Sequence, residues 1–157
     1  MTRVEQILLH ARALQTIQQE SLVSATDGNE TGGILLGRRS DAGNVHVHFA
    51  GTPGPAAIRS PDFFLRDLQH TKAFANRHYF DHSVVWIGEW HTHPHSVPIP
   101  SQQDLTTYTN LLADPELDFG GEFTSLILGP TTTSEWALVG WACGDMRSRQ
   151  VPIRHFR

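Results

Sequence analysis

The chain has 157 residues, one cysteine and a formal net charge of −4, with 39% apolar and 18% charged residues. That length suits one domain around one core, and the composition is that of a folded globular protein. The single thiol, Cys143, excludes an internal disulfide and a Cys₂ or Cys₄ metal site, the absence of a disulfide suits a reduced, cytoplasmic setting, and the acidic balance argues against nucleic acid as the main partner.

The opening stretch lacks an uninterrupted apolar core and a small-residue cleavage site, so it does not read as a signal peptide. No apolar run approaches the ~18 residues that span a bilayer, and no membrane partner is expected. Val4, Ile7, Leu8, Ala11, Leu14 and Ile17 recur at helical spacing, which predicts a helix over residues 3–20. A turn at 26–29 separates it from a short buried strand at 31–37. Asp41-Ala42-Gly43-Asn44 reads as a hairpin turn into a second strand at 45–50. Ser60-Pro61-Asp62 has the form of a helix start, with Ser as N-cap, Pro at the first helical position and an acid in the first turn; that helix is expected to reach about Tyr79. Residues 83–90 form a β-rich central strand, Ser101 opens a further helix to about Ala113, and 124–129 and 136–142 read as two paired strands. A last strand is expected at 151–155. The order α-ββ-α-β-α-ββ implies an α+β fold, a mixed β-sheet flanked by helices in a single domain over residues 1–157. Arg147, Arg149, Arg154 and Arg157 form the one basic cluster; it reads as a solvated edge that discourages strand pairing, or as a local contact for an acidic partner.

The chemistry concentrates between Glu89 and Asp104. His91 and His93 are two apart at the end of an extended run, so both imidazoles face one side and can bind one ion. Pro94, Pro98 and Pro100 keep the following stretch from becoming helical and stiffen it as a loop. The helix at Ser101 then carries Asp104 in its first turn, able to point back at the histidines. Two neutral imidazoles and one carboxylate are three ligands, and a catalytic zinc typically takes three protein ligands and keeps a fourth position for water. Ser101 and Asp104 also fit a capping box, which is compatible with ligation because the cap fixes the turn that aims Asp104. No HExxH or PCxxC pattern is present, which sets aside thermolysin-like and zinc-deaminase arrangements.

The pattern His91-x-His93-x₇-Ser101-x₂-Asp104, with Glu30 ahead of Thr31-Gly32-Gly33-Ile34-Leu35-Leu36-Gly37, resembles the JAMM motif of JAB/MPN zinc metallopeptidases. The resemblance covers roughly residues 30–140. It implies one zinc ion per chain, bound by His91, His93 and Asp104, with Glu30 as general base and Ser101 steadying the oxyanion. Gly54-Pro55-Ala56, Arg59-Ser60-Pro61-Asp62, Phe64 and Arg66-Asp67 are similar to the short prokaryotic JAB branch. Members of that branch accompany ubiquitin-activating-like and conjugating-like proteins, including those of CBASS-type antiphage systems. The implied activity is deubiquitinase-like: release of a conjugated protein, or one with a flexible C-terminal tail, from its target. The chain has no long insertion of the kind that builds a second zinc site in some eukaryotic deubiquitinases.

Other residues compete for roles. Only the resemblance nominates Glu30; taken alone it is a solvated turn glutamate. Glu89 shares strand parity with His91, so it is a candidate partner for a ligand imidazole, or a rival base. His46 and His48 form another same-face pair with no acid nearby and read as ordinary strand residues. His95 is expected to be exposed near the cleft, Cys143 to be a plain core or strand thiol, and the four tryptophans to be core. Three other functions remain open: a non-catalytic MPN scaffold, a peptidase that matures a sulfur-carrier or ubiquitin-like protein at its tail, and a metal amidase for small molecules.

Overall fold

The computed structural model describes residues 3–157. Its elements are β1 (Gln6–His10), α1 (Ala11–Asp27), β2 (Gly32–Arg39), β3 (Asn44–Ala50), β4 (Ile58–Arg59), β5 (Phe64–Leu65), α2 (Leu68–His82), β6 (Val85–Thr92), α3 (Gln102–Ala113), β7 (Phe123–Pro130), β8 (Trp136–Gly144), β9 (Arg147–Val151) and β10 (Ile153–Phe156). Eight strands form one mixed sheet in the order β10-β1-β3-β2-β6-β7-β8-β9, and β4 and β5 form a separate two-stranded hairpin. The two ends of that order are consecutive in the chain. Pro152 joins them, and its carbonyl accepts a hydrogen bond from Ile7 N at 2.9 Å. The sheet therefore curls on itself, with one continuous segment pairing first to β8 and then to β1.

The helices divide between the two faces. Leu9, Leu35, Val47, Leu126 and Leu128 pack with Ala13 and Ile17 of α1 on one face. Alternate residues, Phe123, Ile127, Trp141 and Cys143, meet Tyr108 of α3 on the other. Ile34 and Leu36 meet Phe74 and Ala75 of α2. An α+β domain of helices flanking a mixed sheet is thus what folds. Among the described residues no helix is long and apolar enough to cross a membrane.

A bulge in β6 precedes the side chains that face the site. Pairing with β2 shifts between Leu35 and Leu36, which oppose Gly88 and Trp86, so Ile87 is unpaired. Ile87 and Trp90 both enter the α1-side core, although they are an odd number of positions apart. Glu89 and His91, beyond the bulge, share the opposite face by ordinary strand alternation. Gly88 is required here, because a Cβ would lie 1.9 Å from the Thr124 carbonyl oxygen of the neighbouring strand.

Two expectations from the sequence are corrected, and one strand is added. The first helix does not begin at residue 3: Gln6–His10 is a strand between β3 and β10, both parallel to it. Ile7 and Leu9 fit either period, and two distant strands, rather than local propensity, select the extended one. The helix begins only at Ala11, where His10 Nδ1 accepts from Arg12 N at 3.1 Å. Ser60-Pro61-Asp62 does not start a helix either. Ser60 Oγ accepts from Phe63 N at 3.2 Å and closes the β4–β5 turn. The helix starts at Leu68, capped by Asp67, which accepts from His70 N at 3.1 Å, and it runs to His82. Finally, β9 was not foreseen. Its turn with β8 places Asp145 and Met146 at φ 51° and 60°, without the glycine that usually signals such a turn.

Candidate metal centre

Strand β6 carries His91 in its last turn of pleat, and His93 follows at once, tied to β7 by its amide, which donates to Leu128 O at 2.9 Å. The loop of prolines returns the chain to α3. There Ser101 Oγ accepts from Asp104 N at 3.0 Å, while Asp104 Oδ2 accepts from Ser101 N at 2.9 Å, a complete capping box. The box aims the carboxylate at the histidines. His91 Nε2 and His93 Nε2 lie 3.0 Å apart, and each is 3.2 Å from Asp104 Oδ2.

These distances test the site for a metal. Three ligands of a tetrahedral zinc at 2.0–2.1 Å stand about 3.3 Å apart, close to the spacing seen. His93 Nδ1 faces the Val97 carbonyl at 3.0 Å; donating there leaves Nε2 with a lone pair toward the cluster. Two imidazole nitrogens and a carboxylate oxygen thus point into one small volume, where one cation satisfies all three. His91, His93 and Asp104 form the one such group found among the described residues. The donors present fit zinc.

Charge is tuned strongly here. Burial opposes ionisation of His91, but Asp104 and Glu89 outweigh it and raise its pKa above that of an ordinary histidine. Burial likewise opposes a charged Asp104; His91, His93 and the Ser101 amide outweigh it and hold the carboxyl far below its usual range. Asp104 and Glu89 thus favour the protonated form of His91, whereas ligation needs its imidazole unprotonated, so protons and a metal compete for this ring. Zinc affinity is expected to fall by up to about tenfold for each pH unit lowered through neutrality, with proton release on binding. Titration calorimetry in buffers of different ionisation enthalpy measures this; a flat affinity between pH 8 and 6 contradicts it.

Two further carboxylates share the cleft. Glu30, in the turn between α1 and β2, is 8% exposed, so the reading of it as a solvated turn residue is set aside. Burial pushes its carboxyl up to about 7; His91 and His93 pull against this, and Asp104 and Glu89 add to it. Glu89 is also buried. Burial works to raise it, yet the ion pair with Arg66 and the neighbouring His91 hold it below the usual carboxylate range. Its Oε1 lies 3.5 Å from His91 Nδ1, which has no closer partner. Strand parity had placed Glu89 beside His91; nothing local signalled Arg66, which arrives from 23 residues away.

Glu30, Glu89, His91, Asp104, Arg66 and Phe64 line a cleft of about 370 Å³ between the β4–β5 hairpin and α3. Ser101 is exposed at the start of α3 and is not among its lining side chains. A larger groove, about 610 Å³, lies near the β8–β9 turn and contains none of the metal-centre residues. Two other expectations hold, and that of His95 holds for its exposure only, since it is not among the residues lining the cleft. His46 and His48 stack with His10 around Phe156, away from the cluster. His95 is exposed and contacts Gly28 O at 2.8 Å. Cys143 is buried, and burial pushes its thiol up to about 12, which leaves it protonated and inert. In the basic cluster, Arg149 pairs with Glu122 at 2.9 Å.

Comparison with known proteins agrees with this architecture. The chain superposes on the solution structure of protein DSY2949 from Desulfitobacterium hafniense with a TM-score of 0.70 at 19% identity, over 96% of this chain and 93% of that one, a likeness of fold. It is 26% identical over 111 residues to a CD-NTase/cGAS isopeptidase of Enterobacter hormaechei, covering 70% of this chain and 60% of that protein. It is 33% identical over 90 residues to the probable metalloprotease y4qB of Sinorhizobium fredii, covering 55% of each. The chain thus spans little more than half the length of these relatives. The family model for prokaryotic homologues of the JAB domain matches residues 10–142, most of the chain and all of the cluster, and the chain belongs to that family.

Proposed function

We propose that this chain is a zinc-dependent peptidase that hydrolyses the peptide or isopeptide bond holding a protein, by a flexible C-terminal tail, to its target. The observation that carries this reading is the convergence of His91, His93 and Asp104 within hydrogen-bond distance, beside a cleft that His91 and Asp104 line together with the buried Glu30. When bound, zinc supplies Lewis acidity toward the scissile carbonyl and lowers the pKa of a water to near ~7. Glu30 accepts a proton from the attacking water, a task suited to a carboxyl whose pKa stands near neutrality. Ser101 Oγ accepts from Asp104 N, which leaves its hydroxyl hydrogen free; donating it to the developing oxyanion requires the scissile carbonyl to reach from the cleft to the exposed start of α3. Glu30 then returns the proton to the leaving amine; where that amine is a lysine ε-amine, the reaction is isopeptidase.

A protein substrate suits the surroundings of the cleft. Phe63, Phe64 and Leu65 line one wall, and the β4–β5 hairpin they belong to is a two-stranded sheet outside the main one. An extended tail can pair its main chain with such an edge. The isopeptidase name of relatives supports a conjugate as substrate. The test is an assay of two substrates with the zinc-loaded protein. A folded modifier fused through a flexible tail should turn over far faster than a small chromogenic amide. Equal turnover of both would assign the site to small-molecule amide hydrolysis instead.

A further inference from the structure

We propose that Arg59 is a positioning residue that holds the main chain carrying Glu30 and ties it to the β4–β5 hairpin beside the cleft; this rests on the peptidase reading above. Glu30 lies in a turn between a helix and a strand, where no ladder of main-chain bonds fixes it. Arg59 supplies the fixing. Its Nε donates to Glu30 O at 2.9 Å, and its Nη2 donates to Asn29 O at 3.0 Å. The same guanidinium forks onto Asp27, Nη1 to Oδ2 at 2.8 Å and Nη2 to Oδ1 at 3.1 Å. One planar group thus holds residues 27, 29 and 30 together, a geometry that a lysine ammonium does not reproduce. The next residue completes the grip, because Glu30 N donates to Ser60 O at 2.8 Å.

The clamp comes from the hairpin. Arg59 is a β4 residue whose strand partner is Phe64, a wall of the cleft. Ile58 and Leu65 are paired on the same hairpin and stay 59% exposed, free to meet a ligand. Behind the turn, Ser24 Oγ bonds Asn29 O at 2.6 Å, and Thr92 Oγ1, between the two histidine ligands in sequence, accepts from Thr31 N at 3.0 Å. Glu30 is therefore held from the metal-bearing strand on one side and from the hairpin on the other. Arg59 has no contact with His91, His93 or Asp104 among its hydrogen bonds, so its influence on catalysis runs through Glu30.

The experiment uses the zinc-loaded chain and four variants: Arg59→Ala, Arg59→Lys, Asp27→Ala and the double variant Glu30→Gln/Arg59→Ala. Hydrogen exchange of the segment 24–32, zinc content and steady-state kinetics on a tailed conjugate are measured for each. Arg59→Ala and Arg59→Lys should both lose about 10–100-fold in kcat, the scale expected when a reacting group is misplaced by an ångström or less. Their zinc content and the position of the acid limb of kcat against pH should stay as in the unsubstituted chain. Segment 24–32 should exchange faster in both, and in Asp27→Ala, which removes the fork's anchor without touching Arg59. The double variant should be no slower than Glu30→Gln alone, because a residue that acts through Glu30 has nothing left to position. Loss of zinc in the Arg59 variants, a full multiplicative loss in the double variant, or wild-type kcat in Arg59→Ala would overturn the proposal. Unchanged exchange of 24–32 in both Arg59 variants would also overturn it, whatever the activity. Absence of hydrolysis by the unsubstituted zinc-loaded chain would instead refute the peptidase reading and leave the exchange result to decide on Arg59.

Discussion

Glu30→Gln is expected to keep its fold and its zinc and to lose ~10²–10⁴-fold in activity, the usual contribution of a general base. Glutamine preserves the shape of the side chain but cannot accept the water's proton. Glu30 is not one of the three converging ligands, so metal content should be unaffected. Glu89→Gln gives the contrast. Its amide oxygen can take the place of the carboxylate oxygen that faces His91 Nδ1 at 3.5 Å, and what is lost is the charge that Arg66 neutralises. Changes of this kind behind a ligand usually cost ~10–100-fold in metal affinity or activity, and excess zinc should recover the part due to affinity. Zinc analysis, thermal unfolding and one conjugate assay on both variants are sufficient. If Glu30→Gln stays active while Glu89→Gln is dead with zinc bound, the base is Glu89.

Removing both imidazoles has the largest expected effect. His91→Ala/His93→Ala should contain almost no zinc after purification and should be inactive at any zinc concentration, since one carboxylate cannot hold the ion in place. Both rings are almost fully buried, so the double variant also leaves Asp104 without the two partners that keep it ionised. Thermal unfolding therefore accompanies metal analysis, and Asp104→Asn offers a milder version with both rings intact. In the unsubstituted chain a chelator should abolish activity and added zinc restore it. Wild-type zinc content in the double variant would remove His91 and His93 from the centre, and full activity in excess chelator would remove metal from the reaction.

Much of the centre was legible because its parts are close in the chain. His91, His93, Ser101 and Asp104 span 14 residues, and each link is governed by a local rule: strand alternation, proline stiffness and the capping box. The predicted Ser101–Asp104 box is formed in full. The central strand, the two strands that follow α3, and the helix itself were readable from periodicity for the same reason.

The remainder depended on partners far away in sequence. Nothing near residue 6 chooses strand over helix; the choice comes from β3 and from a segment almost 150 residues on. Ser60-Pro61-Asp62 read as the helix start, and the structure caps that helix seven residues later, at Asp67. The outcome went to Asp67 because the chain from Ile58 to Leu65 is used as a hairpin, pinned by Arg59 and Ser60 to the Glu30 turn. The order of the predicted elements by itself gave the α+β class, and the motif pointed to the three side chains that converge. Only the tertiary structure decided that Glu30 is buried beside them and that Arg66 neutralises Glu89. The physical reason is that desolvation and ion pairing are set by whatever the fold brings near, and neither leaves a mark on neighbouring residues in the chain.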